Sequence, residues 1–351
     1  MQRILLFLTC FLVSQSWAHL PENFIDLPDE VQAVILEYAF FSEKATKVWG
    51  QDFETSSVYH MVKYLDDFHT KVTINFASGW IRVESAASKT PLQSLRHAIV
   101  TTLLTPADPS AVDLYTAADM GLTGKPFLSG LVVDDLGRPV ANQERAERYA
   151  QIITKGSLHK SGNRYWVDIP LVRSYKQKSA ENYRALVLQN ARKYQVSPAL
   201  ILAIIETESS FNPFAVSPVG AYGLMQVMQN TAGRDVFDKI YGRQDKPTRN
   251  YLIDPARNID AGTAYITILR DQYLRSITNP LTREYCVIAS YNGGAGNLYR
   301  AFHRDQKKAI NMINNMSPAA VYKHITTRHS QQETRDYLRK VTNNKKNYAH
   351  W

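Results

Sequence analysis

The feature that most constrains the fold of this chain is a change of side-chain pattern near residue 175. Before it, the segment 71–84 alternates apolar and polar residues around a Ser-Gly turn, which is the period-two pattern of a β-hairpin. After residue 174 the strand signals stop, and apolar residues recur at helical spacing. The sequence therefore predicts an α+β region with an antiparallel sheet, followed by an all-α region.

Individual elements follow from the same patterns. In the first region we expect helices over residues 29–38 and 45–53, and further strands over residues 128–133 and 165–172. In the second region we expect five helices, over residues 181–195, 199–208, 259–275, 282–291 and 331–343. Ser197 before Pro198 has the spacing of an N-cap, and Ser330 with Glu333 has that of a capping box.

The first eighteen residues have the layout of an export signal. One arginine precedes an apolar run over residues 4–13, and the segment ends in Ser16-Trp17-Ala18. The run is shorter than the about 20 apolar residues of a membrane span. We therefore expect a signal over residues 1–18, an α+β domain over 19–175, a helical domain over 176–351, and an exported, periplasmic protein.

The two cysteines predict neither a lipid anchor nor a disulfide. Cys10 lies inside the apolar run, but Phe7-Leu8-Thr9 before it lacks the small residue of a lipoprotein cleavage site. A lipid anchor is therefore unsupported, and peripheral or outer-membrane association stays open. Once the signal is removed, Cys286 has no partner for a disulfide, so we expect a buried thiol.

The formal charge of +9 is concentrated in the second region, with 25 Lys/Arg against 13 Asp/Glu from residue 176 onward. A basic exported surface suits the anionic wall polymer or anionic lipid, and export makes nucleic acid the poorest partner. A solvated face without a partner is the alternative. The histidines show no HExxH spacing and no glycine-rich phosphate loop is present, so we expect neither a metal nor a cofactor.

Glu208 is the most informative single residue. On a helix that begins near Pro198, it continues the apolar stripe of Ile204 and Ile205, whereas Glu206 falls about 200° away and should face solvent. Burial would raise the pKa of the Glu208 carboxyl, as a general acid near neutral pH requires. From the residues alone, Glu208 could equally be a member of a structural ion pair.

The segment around Glu208 resembles a known signature. ETESSFNPFAVSPVGAYGLMQ, which ends at Gln226, is similar to the ES-x-FNP-x-A-x-S-x-x-GA-x-GLMQ motif of the soluble lytic transglycosylases (family 1). The family's YNGG motif is matched at residues 291–294, and its late segment with a cleft tyrosine at residues 333–338. By themselves these two segments would read as a glycine-ended helix and a core aromatic.

The resemblance extends to the first region. VDLYxxxD over residues 112–119 and LVVDDxGxP over residues 131–139, placed between an export signal and the helical domain, are similar to membrane-bound members of the same family. Those members carry a lipidated cysteine after the signal. This chain departs from them there, which leaves its membrane anchoring open.

The resemblance implies a lysozyme-like, goose-type catalytic domain that cleaves peptidoglycan glycan strands. In this family one glutamate, here Glu208, acts as acid and then as base on the MurNAc-GlcNAc β-1,4 bond and yields 1,6-anhydromuropeptides without consuming water. Carried over by position, the substrate-binding residues are Ser217, Met225, Gln226, Tyr291, Asn292 and Tyr337. The expected partner is the glycan strand, and the expected state is a monomer.

Two other functions stay open at this point. A goose-type lysozyme would hydrolyse the same bond and would usually need a further carboxylate, for which Asp235 and Asp238 are the nearest candidates. A glycan-binding scaffold would keep the cleft without the chemistry. The sequence does not distinguish endolytic from exolytic action, and it does not show the stem-peptide preference.

Overall fold

The computed structural model describes residues 24, 29–87, 89–107, 109, 112 and 124–351. These residues form two compact units, one reaching to Ser179 and including Asn212–Ala221, the other comprising Ala180–Phe211 and Tyr222–Trp351. The predicted export signal, Cys10 and most of the VDLYxxxD segment lie outside the described residues. Within the described part of the chain, no helix is long and apolar enough to cross a membrane.

The first unit is built on a five-stranded antiparallel sheet. The strands are β1 (His60–Leu65), β2 (Thr70–Asn75), β3 (Trp80–Ser85), β4 (His159–Ser161) and β5 (Arg164–Pro170), in the order β1-β2-β3-β5-β4. The helices are α1 (Asp29–Trp49), α2 (Pro91–Leu103), α3 (Gln143–Gly156) and α4 (Tyr175–Asn182), the last of which runs into the second unit.

The two faces of this sheet differ. Alternate residues such as Ile81, Val83 and Val167 are buried in one core with apolar residues of α2 and α3. On the opposite face, Trp49 at the end of α1 packs with Tyr64 of β1 in a smaller aromatic cluster. The outward residues of β3 and β5 are instead charged apart from Trp80, Trp166 and Pro170.

The structure confirms the hairpin, as β2 and β3, and the strand predicted over 165–172, as β5. The two helices predicted over 29–38 and 45–53 are one helix, α1, which is followed by a 3₁₀ turn over Gly50–Asp52. The strand predicted over 128–133 is wrong: these residues form successive turns, and only Val133 makes an isolated bridge, to Pro139. Gly130 has a φ of 79°, which an extended strand does not allow.

The second unit is helical. Its helices are α5 (Arg184–Tyr194), α6 (Pro198–Ser209), α7 (Arg234–Lys239), α8 (Arg249–Ile253), α9 (Pro255–Ile268), α10 (Pro280–Gly293), α11 (Ala295–Phe302), α12 (Gln306–Asn314), α13 (Pro318–Arg328) and α14 (Gln332–Lys346). Two short strands, β6 (Ala221–Tyr222, whose first residue ends the first unit) and β7 (Val227–Met228), and two π-helical turns, Gln229–Gly233 and Leu269–Tyr273, complete it. Cys286 is fully buried, as predicted.

Two local predictions about the second unit are wrong. Glu206 does not face solvent: it is 6% exposed, because α6 is buried on nearly all sides and Tyr348 packs over this face. The capping box at Ser330 is absent, because α14 begins at Gln332 and no side chain caps it. Ser197 occupies the N-cap of α6 with Pro198 at the first helical position, although its side chain makes no capping bond.

Candidate active site

Glu208 lies in the last turn of a helix that is otherwise enclosed. Every residue of α6 from Ala199 to Thr207 is buried. The helix ends because Ser210 and Phe211 adopt left-handed backbone conformations, with φ of 50° and 66°, and the Ser210 amide donates to the Glu206 carbonyl. The glutamate is thus fixed on a rigid element at the point where the chain turns away.

Glu208 is partly exposed as a residue, but its carboxyl is buried among protein atoms. Desolvation raises its pKa from 4.5 to about 8. The Tyr337 hydroxyl opposes this shift by donating a 2.7 Å hydrogen bond to Oε1, which favours the ionised form, whereas the charge of Glu333 adds to it. A carboxyl with this pKa is mostly protonated at neutral pH.

The C-terminal residues of the chain hold three successive side chains of α6. Tyr348 donates to Glu206 Oε2 at 2.8 Å. Asn344 donates to the Thr207 hydroxyl at 3.1 Å, and Tyr337 donates to Glu208. Since Tyr337 and Asn344 both belong to α14, this helix fixes the position of the carboxyl directly.

Tyr291, from the YNGG motif, lies close to both the glutamate and the GLMQ segment. Its hydroxyl donates to the Met225 carbonyl at 2.9 Å. Burial raises the pKa of the Tyr291 phenol well above its ordinary value, and the negative charge of Glu208 raises it further. The Tyr291 ring also packs edge-on against Tyr265, with centroids 5.6 Å apart.

Asn292 is oriented by the beginning of α14. Its amide nitrogen donates to Glu333 Oε1 at 3.0 Å, and its amide oxygen accepts from the Thr334 hydroxyl at 2.8 Å. Position 293 requires a glycine, because a Cβ there would lie 2.5 Å from the Thr334 hydroxyl. The YNGG motif is therefore the place where α10 meets α14.

The GLMQ segment is held from behind by Asn258 of α9. The Met225 amide donates to Asn258 Oδ1 at 2.8 Å, and Gly223, with φ of 71°, leaves room for the same side chain. Met225 itself is fully buried, with its sulfur against Gly262. Gln226 has a φ of 47°, and its amide nitrogen donates to the Gly223 carbonyl at 2.9 Å.

Ser217 lies in the loop of the first unit that follows α6 in sequence. Its hydroxyl accepts from the Ala221 amide at 2.9 Å, and its own amide donates to the Ala221 carbonyl at the same distance. The side chain is partly exposed. Ser217 therefore closes a tight turn.

The second unit thus brings Glu208, Tyr291 and Tyr337 into one hydrogen-bonded and electrostatic neighbourhood, and Tyr291 links it to Met225, the residue before Gln226. The supporting residues Asn258, Thr334 and Tyr348 were not predicted from the sequence. Asn258 was detectable only as a polar residue beside the apolar stripe of a helix. Among the described residues, no three His, Cys, Asp or Glu side chains are grouped as a metal site would require.

Two family models match the chain. The membrane-bound lytic murein transglycosylase C N-terminal domain matches residues 29–182, and the transglycosylase SLT domain matches residues 185–314. The chain is 46% identical to a membrane-bound lytic murein transglycosylase C from Yersinia enterocolitica, over 88% of this chain and 87% of that protein. It is 44% identical to a membrane-bound lytic murein transglycosylase C from Yersinia pestis, over 89% of this chain and 88% of that protein.

Solved structures also match part of the chain. Lytic transglycosylase Slt from Pseudomonas aeruginosa, as an inactive variant, matches with a TM-score of 0.38 and 25% identity, over 48% of this chain and 24% of that one. The 70 kDa soluble lytic transglycosylase from Escherichia coli matches with a TM-score of 0.37 and 26% identity, over the same shares. The chain thus spans about a quarter of each of these solved proteins.

The two sequence relatives are matched over nearly their whole length. The fold is an α+β unit with an antiparallel sheet joined to a helical SLT domain. This chain therefore belongs to the membrane-bound lytic murein transglycosylase C family, and it is a lytic transglycosylase, a lyase that acts on peptidoglycan.

Proposed function

We propose that Glu208 is the single acid and base of this enzyme and that the product is a 1,6-anhydromuropeptide. The observation that carries the proposal is the enclosure of the Glu208 carboxyl at the end of α6, because this burial raises its pKa to about 8, which suits a general acid near neutral pH. The hydrogen bond from Tyr337 supports it, because it fixes one carboxyl oxygen and leaves the other for the substrate.

The reaction proceeds in two proton transfers. Glu208 gives its proton to the oxygen between N-acetylmuramic acid and N-acetylglucosamine, and the bond from that oxygen to the muramoyl C1 breaks. The N-acetyl group of the muramoyl residue supports the developing cation. The 6-hydroxyl of the same sugar then bonds to C1 and returns its proton to Glu208, so that no water is consumed.

The other residues of the site serve binding and positioning in this proposal. Gln226 offers amide hydrogen bonds to the saccharide, and Ser217 orients the N-acetyl group or the glutamate. Met225 contributes through its carbonyl, which holds Tyr291; its side chain is fully buried, so the predicted contact with the glycan is not part of this proposal. Tyr291 and Asn292 border the carboxyl, and Tyr337 orients it in addition to its predicted contact with the substrate.

The carboxylates considered for a hydrolytic mechanism already have partners. Asp235 forms an ion pair with Lys239 at 3.0 Å and accepts from Tyr273 at 2.9 Å. Asp238 accepts from Gln244 at 3.4 Å. Neither set of contacts includes Glu208, and the carboxylate whose charge acts on Glu208 is instead that of Glu333.

Two measurements test the proposal. Mass spectrometry of the muropeptides released from purified peptidoglycan should show anhydro products, each lighter by one water than the hydrolysed species. Glu208→Gln should abolish release while the variant still binds peptidoglycan and keeps its circular dichroism spectrum. Hydrated products alone would establish a lysozyme, and full activity of Glu208→Gln would place the acid elsewhere.

We further propose that residues 1–18 are an export signal, with an α+β domain over 19–175 and the catalytic domain over 176–351. On this proposal the enzyme works in the periplasm as a monomer, with its basic half toward the anionic wall, and the relatives' name of membrane-bound supports association with the envelope. Mass spectrometry of the mature N-terminus tests the signal and any lipid together, and a retained signal would contradict it.

A further inference from the structure

A pocket lies on the sheet of the first unit, on the face opposite α2 and α3. It has a volume of about 360 Å³, which falls within the range of small-molecule sites, and it is open to solvent. Its lining comes from β3, β4, β5 and the turn between the last two strands. The residues are Arg82, Glu84, Ser161, Asn163, Arg164 and Trp166.

The chain builds this pocket by covering one part of a sheet face and leaving another part open. The aromatic cluster of α1 packs over β1, where Tyr64 and Val62 are buried. Along β3 and β5 the outward positions Arg82, Glu84 and Trp166 remain partly exposed. The sheet therefore presents a rigid platform at this edge, and the side chains on it are spaced by strand register: Glu84 lies opposite Trp166.

The charged groups of the lining are already neutralised. Arg82 makes a bidentate pair with Asp168, at 2.7 and 2.8 Å. Glu84 is 3.2 Å from Lys71, a lysine that is almost fully buried. A pocket whose charges are compensated gains little from an ionic ligand, but its fixed donors and acceptors suit neutral hydroxyl and amide groups.

The charge of the second arginine, Arg164, is also compensated, and its side chain contacts the aromatic cluster around Trp49. Arg164 forms an ion pair with Asp52, donates to the Trp49 carbonyl at 3.1 Å, and lies 5.0 Å from the centre of the Trp49 ring. Its guanidinium is thus held in place by the protein before any ligand arrives. A preorganised donor of this kind reduces the ordering cost of binding.

Trp166 supplies the apolar surface. The His159 ring stacks on its indole, with centroids 5.4 Å apart and an interplanar angle of 17°, and the Arg82 guanidinium lies 5.8 Å from the centre of the same ring, so that the indole offers mainly its edge to the pocket. Ser161 and Asn163 lie at the neighbouring turn, are exposed, and offer a hydroxyl and an amide. An indole beside amide, hydroxyl and guanidinium groups matches a sugar ring, which combines apolar C–H faces with hydroxyl and acetamide groups.

We propose that this pocket is a second saccharide site, which binds a neutral N-acetylated sugar of the glycan strand apart from the site of cleavage. The proposal rests on the proposed function for the identity of the glycan. Its consequence is that the α+β unit holds the polymer while the helical unit cuts it.

The test is an NMR titration of ¹⁵N-labelled full-length Glu208→Gln protein with N-acetylchitotetraose. The Trp166 indole resonance is identified by its loss in Trp166→Phe. It should shift in a saturable manner with N-acetylchitotetraose, and should not shift with maltotetraose, which lacks acetamide groups, or with sodium acetate. No shift, a shift with acetate alone, or an equal shift with maltotetraose would overturn the proposal.

Asn163→Ala provides the second readout, because this exposed side chain can be shortened without removing an ion pair of the pocket. It should raise the dissociation constant at Trp166 at least fivefold, whereas the control Asn343→Ala, at an exposed position of α14, should leave it unchanged. Equal constants for the two variants would contradict the assigned contact. The titration needs no turnover, so its failure would leave the proposed cleavage mechanism standing, and hydrated products in the activity assay would leave this binding result standing.

Discussion

The Tyr337 hydroxyl donates a 2.7 Å hydrogen bond to Oε1 of Glu208, and the two residues are 129 positions apart in the chain. Tyr337 is 6% exposed, so the bond is shielded from water. It lowers the pKa of a carboxyl that burial raises to about 8. In the proposed mechanism, Tyr337 therefore limits how weak an acid Glu208 becomes.

Removing this hydrogen bond should make Glu208 a weaker acid. In Tyr337→Phe the ionised carboxylate loses a donor, so its pKa should rise further, by about one to two units for a charge-assisted bond of about 1.5–3 kcal/mol. The alkaline limb of the pH profile of kcat/KM on solubilised peptidoglycan should move to higher pH, because the acid form persists longer. An unchanged limb would show that Tyr337 does not tune the acid.

The opposite sign is expected at Glu333, whose charge raises the pKa of Glu208. Glu333→Gln should lower that pKa by a few tenths of a unit, because an exposed charge acts through solvent. The amide can still accept the hydrogen bond from Asn292, so the site should stay in place. The alkaline limb should therefore move to lower pH at low salt, and the difference should shrink in 0.5 M salt; a salt-independent shift would indicate a structural change instead.

The raised pKa of Glu208 also predicts a cost in stability. The folded carboxyl ionises near pH 8 and the unfolded one near its ordinary value of 4.5, so in between the unfolded state binds fewer protons. Stability should therefore fall as pH rises from about 4.5 to 8. Glu208→Gln removes the ionisation and should be more stable than the parent at pH 8, by on the order of 3–5 kcal/mol, and nearly equal at pH 4.5.

Urea unfolding at pH 4.5, 6 and 8 measures this difference. Glu181→Gln is the control, because Glu181 is exposed and pairs with Arg184 at 3.1 Å on the surface. Its effect should stay below about 1 kcal/mol at every pH. A Glu208→Gln difference that does not grow with pH would mean that the folded carboxyl ionises at its ordinary value.

The sequence predicted the helix of Glu208 and its buried stripe, because helical periodicity is local. It misplaced Glu206, because periodicity predicts which face is apolar and not whether a second element covers the polar face. Tyr348 lies 142 positions away and covers it. The partners of Asn292 and Met225 were missed for the same reason, since Thr334 and Asn258 belong to other helices. The false strand over 128–133 arose because apolar residues around Gly130 pack equally well in turns.

Met225 gives a packing prediction with a matched control. A Cβ at Gly262 would lie 2.5 Å from the Met225 sulfur and 2.8 Å from its Cβ, so Gly262→Ala should displace the segment that holds Tyr291 and cost about 1–3 kcal/mol. Gly156 is also helical and has nothing within 4 Å of the same position, so Gly156→Ala should be neutral or stabilise by up to about 1 kcal/mol. Thermal melts of both variants decide, and equal effects would contradict close packing at Met225.

The bond between Tyr348 and Glu206 should couple stability to activity. Tyr348 is 1% exposed, and Tyr348→Phe removes the donor to a buried glutamate, which should cost about 1–3 kcal/mol. Glu206→Gln keeps an acceptor for the tyrosine and should cost less. In a double-mutant cycle of urea unfolding, the interaction energy should lie between about 0.5 and 3 kcal/mol. Tyr348 holds the turn of α6 that carries Glu208, so Tyr348→Phe should also lower kcat at temperatures where the variant is fully folded. Additive effects on stability together with an unchanged kcat would contradict this coupling and would make Glu206 an ordinary buried polar residue.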